Sequence, residues 1–343
     1  MPIKKIKVAL IGVGNVASAL TQSLHAKKIS GIWHKYVAGY SFADIEIVAA
    51  FDIDKGKIGK DLSEAIFKEP NVSPEFARVP RSNVRVKPGV AKDDVPRHLG
   101  ESVTTVASIA NDLRESGAAL ALNLLPSGMQ RTSTAYANEC LSAGLSFINA
   151  TPSIIAMNPT LRKKFQAAKQ VLIGDDLMSQ FGGTAFHKGI LEFINSRGIK
   201  VGKSYQLDVG GGNETLNTIS EDVKIAKRDI KTEAIAAEIP YKFATVAGTT
   251  DYVDYMGNNR TSYFWISCKG IFDSDIKIDV YLRTNDGANS ANILLDVIRA
   301  TAYSLRRKEY GSPDEICNYG FKRLPKPVLL HQAQVEFYKK YVK

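Results

Sequence analysis

The stretch Lys4–Ala19, KKIKVALIGVGNVASA, decides the fold. A short apolar run, Ile6 to Ile11, meets Gly12 and Gly14 at once, and a small, polar run then opens a helix. This is the strand, turn and helix order of a nucleotide-binding unit. Glycine lets the backbone turn tightly and approach a pyrophosphate. The helix beginning at Asn15 and Val16 offers free N–H groups to that anion. Ala17 takes the third position of the G-x-G-x-x-G pattern, which the pattern tolerates. A glycine-rich turn with no ligand is the alternative for this motif taken alone.

Outward from this stretch, Ile45–Phe51 (IEIVAAF) reads as a second buried strand ending in Asp52. An acid there commonly binds the adenine ribose hydroxyls of NAD and disfavours the extra phosphate of NADP. The interval from Gly14 is long, and a loop insertion around Gly31–Ala43 accounts for it. Residues 70–100 read as long irregular loop with a strand near Val84–Val86, and loops of this length are often functional. The spacing predicts a helix over Val103–Glu115. Ala118–Leu124 and Leu145–Asn149 read as buried strands, with Pro126-Ser127-Gly128 after the first. Asn123 and Asn149 therefore sit at strand ends, on the edge where such sheets bind ligands. A strand at Val171–Ile173 empties into Gly174-Asp175-Asp176.

The segment Asp175–Thr184, DDLMSQFGGT, is dense in acids, hydroxyls and glycines before a helix. Ser179, Gln180 and Thr184, with the N–H groups of Gly182 and Gly183, suit a phosphate. A simple capped turn is the alternative. After Gly198 the pattern shifts to alternating strands broken by a lysine-rich helix over Asp222–Ile235. On that helix Lys227 and Lys231 share a face at i,i+4. Like charges so placed repel unless an anion lies between them, and crowding by cations also lowers an amine's pKa toward acid–base work. A solvated basic face is the bland alternative.

The expected fold is therefore α/β, a Rossmann-type parallel sheet with an inserted α+β domain built on an antiparallel sheet. Residues 1–199 and 286–343 form the cofactor domain, and residues 200–285 the catalytic and oligomerisation domain. The chain has 343 residues, 44% apolar and 23% charged, as in ordinary soluble proteins. No apolar run is long enough to span a bilayer, and MPIKKIKVALIG does not read as a secretory signal. Cys140, Cys268 and Cys317 form no CxxC, which fits a reducing, cytoplasmic setting. A formal charge of +10 suits an anionic small molecule. No basic tract interleaved with aromatics argues for nucleic acid.

Taken together these motifs resemble the myo-inositol-1-phosphate synthase family, in its shorter archaeal and bacterial form, nearly end to end. The marks are VALIGVGNVASAL at 8–20, IEIVAAFDID at 45–54, NLLPSG at 123–128 and NATPSIIA at 149–156. More specific are GDDLMSQFGGT at 174–184, GGGNETLN at 210–217, AKRDIKTEA at 226–234 and NDGANSA at 285–291. The resemblance implies an NAD-dependent cyclase, commonly a homotetramer, that turns D-glucose 6-phosphate into 1L-myo-inositol 1-phosphate. The route is oxidation at C5, enolisation at C6, aldol closure onto C1 and re-reduction.

The resemblance also assigns roles. Of Lys227 and Lys231, one polarises the reacting oxygens and the other meets the C5 oxygen or the phosphate; Lys322 lies near the C5 and C1 oxygens, and Asp286 assists a hydride or proton step. Gly12, Gly14, Asn15, Val16 and Asp52 hold the cofactor, with Asn123, Pro126, Asn149 and Asp175 beside it. Ser179, Gln180, Gly183 and Thr184 hold the phosphate, with Asn213 nearby. A fourth family lysine falls in the strand around Ser262–Lys269, with Lys269 as candidate. Asp175, Asp176 and Asp286 offer oxygen ligands to a divalent metal or a monovalent cation, and their spacing does not decide between these and none. Met178 stands where the family loop carries a lysine, and Ile230 where the second serine of S-K-x-x-S-K falls. These departures leave open a paralogue acting on another sugar phosphate, or a non-catalytic NAD-binding protein.

Overall fold

The computed structural model describes residues 5–27, 29–96, 99, 100, 102–218 and 220–342. Six strands form one wholly parallel sheet: β1 (Ile6–Ile11), β4 (Ile45–Asp52), β5 (Val86–Pro88), β6 (Leu120–Asn123), β7 (Ser146–Asn149) and β8 (Leu172–Ile173). Between the first two, Tyr36–Val37 (β2) and Tyr40–Ser41 (β3) pair as a small hairpin inside the segment expected to be plain loop. The spatial order β5-β4-β1-β6-β7-β8 is the doubly wound dinucleotide-binding order, with its switch point between β1 and β6.

Both faces of this sheet are covered, so its strands are apolar on both sides. Along β1, Val8 and Leu10 enter one core with Leu20 of the helix Asn15–His25 and Leu294 of the helix Asp286–Arg306. Ala9 and Ile11 enter the other, with Leu113, Tyr136 and Phe147. The predicted helix over 103–115 begins only at Ala110. Before it, Val103 and Thr105 make isolated bridges to Asp54 and Gly89, as β-branched residues favour extended backbone.

The second sheet has the order β10-β9-β11-β12, from β9 (Lys200–Gly210), β10 (Ala244–Tyr252), β11 (Asn259–Lys269) and β12 (Asp275–Asn285). It is mixed rather than antiparallel, because β10 runs parallel to β9. The helices Asn213–Thr218 and Glu221–Ala236 make the crossover that a parallel pair requires. Its core joins Val201, Ala247 and Ile266 to Ile235 and to Leu191 of the helix Gly183–Ser196. By packing, that helix sides with the second sheet although it precedes residue 200. From β12 the chain passes directly into the helix Asp286–Arg306, capped by the Asn285 side chain, which returns along the helix Asn15–His25. Gly287 is required there, since a Cβ would lie 2.6 Å from Asn258 Nδ2.

Candidate active site

One cleft of about 280 Å³ runs from the glycine loop to the second sheet. Its first end is built by the glycine turn between β1 and its helix. Gly12 has φ 90°, and a Cβ on it would lie 3.1 Å from the Leu124 carbonyl oxygen. The helix Asn15–His25 starts without a side-chain cap, leaving its first N–H groups to a ligand. Asp52, at the end of β4, accepts from Val13 N–H at 2.7 Å with one oxygen. Its other oxygen accepts from Ile53 and Asp54. Lys57, buried at 4% exposure, fixes the loop from behind by donating to Val13 O (3.0 Å) and Asn71 (2.9 Å). Part of the long loop, Val90–Pro96, walls this end. Asp93 in it accepts from the N–H of Thr132, tying it to the helix Gln130–Ala143.

At the other end four cations enter from three places. Lys227 and Lys231 come from the helix Glu221–Ala236, Arg260 from β11 and Lys322 from the segment after the helix Asp314–Gly320. Each has its own carboxylate. Lys227 meets Glu214, which also accepts from Ser127 N–H (3.0 Å) and Oγ (2.5 Å) across the cleft. Lys231 meets Asp208 at 2.5 Å. Arg260 donates to Asp286 at 2.7 Å, with Asp208 at 3.7 Å. Lys322 meets Asp176 at 2.8 Å. The second oxygen of Asp176 is buried with no hydrogen-bond partner. A buried acceptor left open in a cleft calls for a donor on the ligand.

The electrostatics follow from burial and neighbours. Burial disfavours the Asp208 carboxylate, yet Lys231 and Arg260 outweigh it and hold its pKa well below the ordinary range. Burial is the largest influence on Lys231, and with the cations Arg260, Lys227 and Lys322 it overcomes Asp208, so the amine is pushed down to about 8. Arg260 is pushed further up, because Asp286 and Asp208 outweigh its burial.

The cleft gathers most of the expected residues. Gly12, Gly14, Asn15, Val16, Asp52 and Pro126 line the cofactor end. Ser179, Gly183, Thr184 and Asn213 line the middle, with Lys227, Lys231, Asp286 and Lys322 beyond. Five lie off it. Gln180 turns away: its side chain bonds Gly31 O (3.4 Å) and Asn292 (2.5 Å), in the Gly31–Ala43 insertion and the helix Asp286–Arg306. Asn123 is wholly buried, donating to Ser133 and Asn149. Asn149 in turn donates to Asp175 at 2.8 Å. Asp175, also wholly buried, accepts from the N–H groups of Ile155, Ala156 and Met157 and so organises the turn after β7. Asp176 instead has left-handed backbone (φ 61°) and faces the cleft. Lys269, at the far end of β11, is half exposed and paired with Asp275. Asp208, Glu214, Arg260 and Lys57 were not singled out by the sequence. Arg260 alone left a signal, a cation two residues before the strand stretch in which a fourth was expected.

A doubly wound sheet whose glycine loop shares a cleft with four paired cations defines a nucleotide-dependent enzyme acting on an anionic substrate. The profile of the family described as myo-inositol-1-phosphate synthase matches residues 182–287. The inositol-3-phosphate synthase of Corynebacterium glutamicum is 30% identical over 326 residues, covering 90% of each chain. That of Mycobacterium tuberculosis is 29% identical, covering 97% of this chain and 95% of its own. The crystal structure of Ari2 superposes with a TM-score of 0.80 at 28% identity, covering 98% of both chains. The chain belongs to the myo-inositol-1-phosphate synthase family.

Proposed function

We propose that the protein is an NAD-dependent inositol-3-phosphate synthase, converting D-glucose 6-phosphate to 1L-myo-inositol 1-phosphate. The observation that carries this is the cluster Lys227, Lys231, Arg260 and Lys322, four cations in the cleft that also holds the glycine loop. The reaction develops oxyanions at C5 and C1, and fixed cations in a water-poor site are what such charges need. NAD suits the cofactor end: Gly12 clears the backbone, uncapped N–H groups meet the pyrophosphate, and Asp52 takes the ribose. When bound, it supplies the hydride acceptor for the first step and the hydride donor for the last.

The chain's own residues do the rest. Ser179 and the N–H groups opening the helix Gly183–Ser196 hold the phosphate. The open acceptor of Asp176 takes a substrate hydroxyl and fixes its orientation. Lys322 and Lys231 hold the C5 oxygen as C6 loses its proton, and the substrate phosphate serves as the base. Lys227 and Arg260 hold the C1 oxygen during ring closure. Lys231, with its lowered pKa, gives its proton to the new C1 alkoxide and is recharged by the proton the phosphate took from C6, and the C5 hydroxyl proton released on oxidation is regained on re-reduction. Asp286 keeps Arg260 in place. Among the described residues no three His, Cys, Asp or Glu side chains converge as a metal site. No helix among them is long and apolar enough to cross a membrane.

Residues 1–199 with 286–343 then act as the cofactor lobe, and 200–285 as the lobe carrying Lys227 and Lys231. The outer face of the second sheet stacks Tyr205 on Trp265 (5.4 Å) and Tyr263 by Tyr281 (4.9 Å), with Tyr281 71% exposed. An uncovered aromatic face of this kind supports a homotetramer. Tyr281→Asp tests it by sedimentation: an unchanged oligomer removes the face from assembly.

A second reading is favoured by Met178, which lines the cleft in place of a cation. It makes the protein a paralogous cyclase for another sugar phosphate. Product identification by NMR after incubation with NAD and either glucose 6-phosphate or a panel of sugar phosphates decides. Inositol 1-phosphate from glucose 6-phosphate alone supports the first reading. A different cyclised product from another sugar, with glucose 6-phosphate inert, refutes it.

A further inference from the structure

Asp208 lies on β9 behind Lys231 and is 1% exposed. Its carboxylate is surrounded. One oxygen accepts from Lys231 Nζ at 2.5 Å and faces Arg260 at 3.7 Å. The other accepts from Ser262 Oγ at 2.6 Å and Gln206 Nε2 at 2.8 Å. The Gln206 amide is itself fixed. Its oxygen faces His187 Nδ1 at 3.3 Å, and His187 Nε2 faces Ser204 Oγ at 3.1 Å. Burial keeps His187 neutral, its pKa pushed down to about 4. With Gln206 donating to Asp208, its oxygen must accept from His187 Nδ1–H, and Ser204 donates to Nε2. The result is a directed row, Ser204 to His187 to Gln206 to Asp208, ending on the amine of Lys231.

The charged groups facing Lys231 come from four elements. Among the described residues Asp208 on β9 is the anion in direct contact with it, while Glu214, Asp286 and Asp176 stand beyond, each paired with another cation. Lys227 on its own helix, Arg260 on β11 and Lys322 after the helix Asp314–Gly320 are cations. Three cations and burial would strip the proton from an amine standing alone. We propose that Asp208 is the positioning residue that keeps Lys231 an ammonium and aims it into the cleft, held for that task by the Ser204–His187–Gln206 row.

This deepens the function proposed above and rests on it for what the ammonium does. Its test does not need turnover. In the full chain, the rate of reductive methylation at Lys231 is measured against pH by peptide mass spectrometry, with Lys269 as the exposed reference. Asp208→Asn keeps the shape and removes the charge. The expected result is a half-titration point lower by about one to three pH units, and amine reactivity at neutral pH about five- to tenfold higher. The double variant Asp208→Asn with Arg260→Gln removes one acid and one cation together and returns the titration part of the way. An unchanged Lys231 titration in folded Asp208→Asn overturns the proposal. If Asp208→Asn does not fold, Gln206→Ala carries the test: it releases the Asp208 carboxylate from its row, the Lys231 titration must move down, and no movement overturns the proposal. A purely structural Asp208 would lower stability without moving the titration of Lys231. If instead the titration moves as expected while glucose 6-phosphate yields no inositol phosphate, the function fails and this inference stands.

Discussion

Gly183→Ala is the sharpest perturbation of the loop proposed to hold the phosphate. A Cβ at this position would lie 2.3 Å from Gln206 Nε2 and 3.0 Å from Ser262 Oγ, where ordinary contact begins near 3.4 Å. One side must therefore retreat by about 1 Å. Gln206 has no slack, since its amide spans Asp208 at 2.8 Å and His187 at 3.3 Å. A shift of that size takes it out of hydrogen-bond range of Asp208. A buried donor left without a partner costs about 1–3 kcal/mol, and overpacking a dense interior adds about 1–3 kcal/mol. The expected loss is about 2–6 kcal/mol, or roughly 3–8 °C in Tm for a chain of this length. If the loop yields instead of Gln206, the N–H groups opening the helix move off the phosphate, and KM for the sugar phosphate rises about tenfold for each 1.4 kcal/mol lost. Gly182→Ala is the graded comparison, because its Cβ meets only Ser179, at 3.0 Å from the hydroxyl. Calorimetry and steady-state kinetics on both variants read these effects. A Gly183→Ala protein with wild-type Tm and wild-type KM refutes the reasoning.

Activity that needs the Lys231 ammonium declines as pH rises through about 8. Stability moves the other way. The folded amine releases its proton near 8 and the unfolded one only near 10.5, so the unfolded chain binds more protons between them and this group's contribution to stability increases with pH. Paired pH profiles of turnover and of urea midpoint check the opposite slopes. Asn292 accepts from Trp33 N–H and donates to Gly31 O and Gln180, so Asn292→Ala frees the Ser179–Thr184 loop. KM for sugar phosphate should rise about two- to tenfold, with kcat changed less than twofold. Asp296 accepts from Arg299, Tyr319 and His34, each at 2.6 Å, and Arg299 is wholly buried. Asp296→Ala leaves that guanidinium uncompensated and should cost about 3–5 kcal/mol by chemical denaturation.

The parallel sheet was legible because its strands are short apolar runs ending in glycine, asparagine or acid. The cations were legible through helical spacing, which puts Lys227 and Lys231 on one face. Direction was not legible. Asp175 and Asp176 are neighbours of one type, yet a left-handed φ at the second sends the first into the interior and the second to the ligand. Asn123 and Asn149 end their strands at matching register, and that register lets them bond each other rather than face the cleft. Asp208 and Glu214 sit in a strand and a short helix with no local mark of function. What distinguishes them is a lysine from another element, a relation absent from the linear chain. The parallel pairing of β10 with β9 did leave a trace, because more than thirty residues including a helix separate the two strands, too many for a hairpin.

Each of the four clustered cations, Lys227, Lys231, Arg260 and Lys322, is matched by an acid of its own. A bare ring of positive side chains would strain against itself when empty and trap whatever stray anion diffused in. Here the resting site behaves as a closed circuit, and the acids that aim Lys231 and Arg260 stay in place when it is filled. Binding then rewards a molecule with hydroxyls for the carboxylates as well as negative charge for the cations. Simple salts fail that double requirement, and a polyol carrying a phosphate meets it.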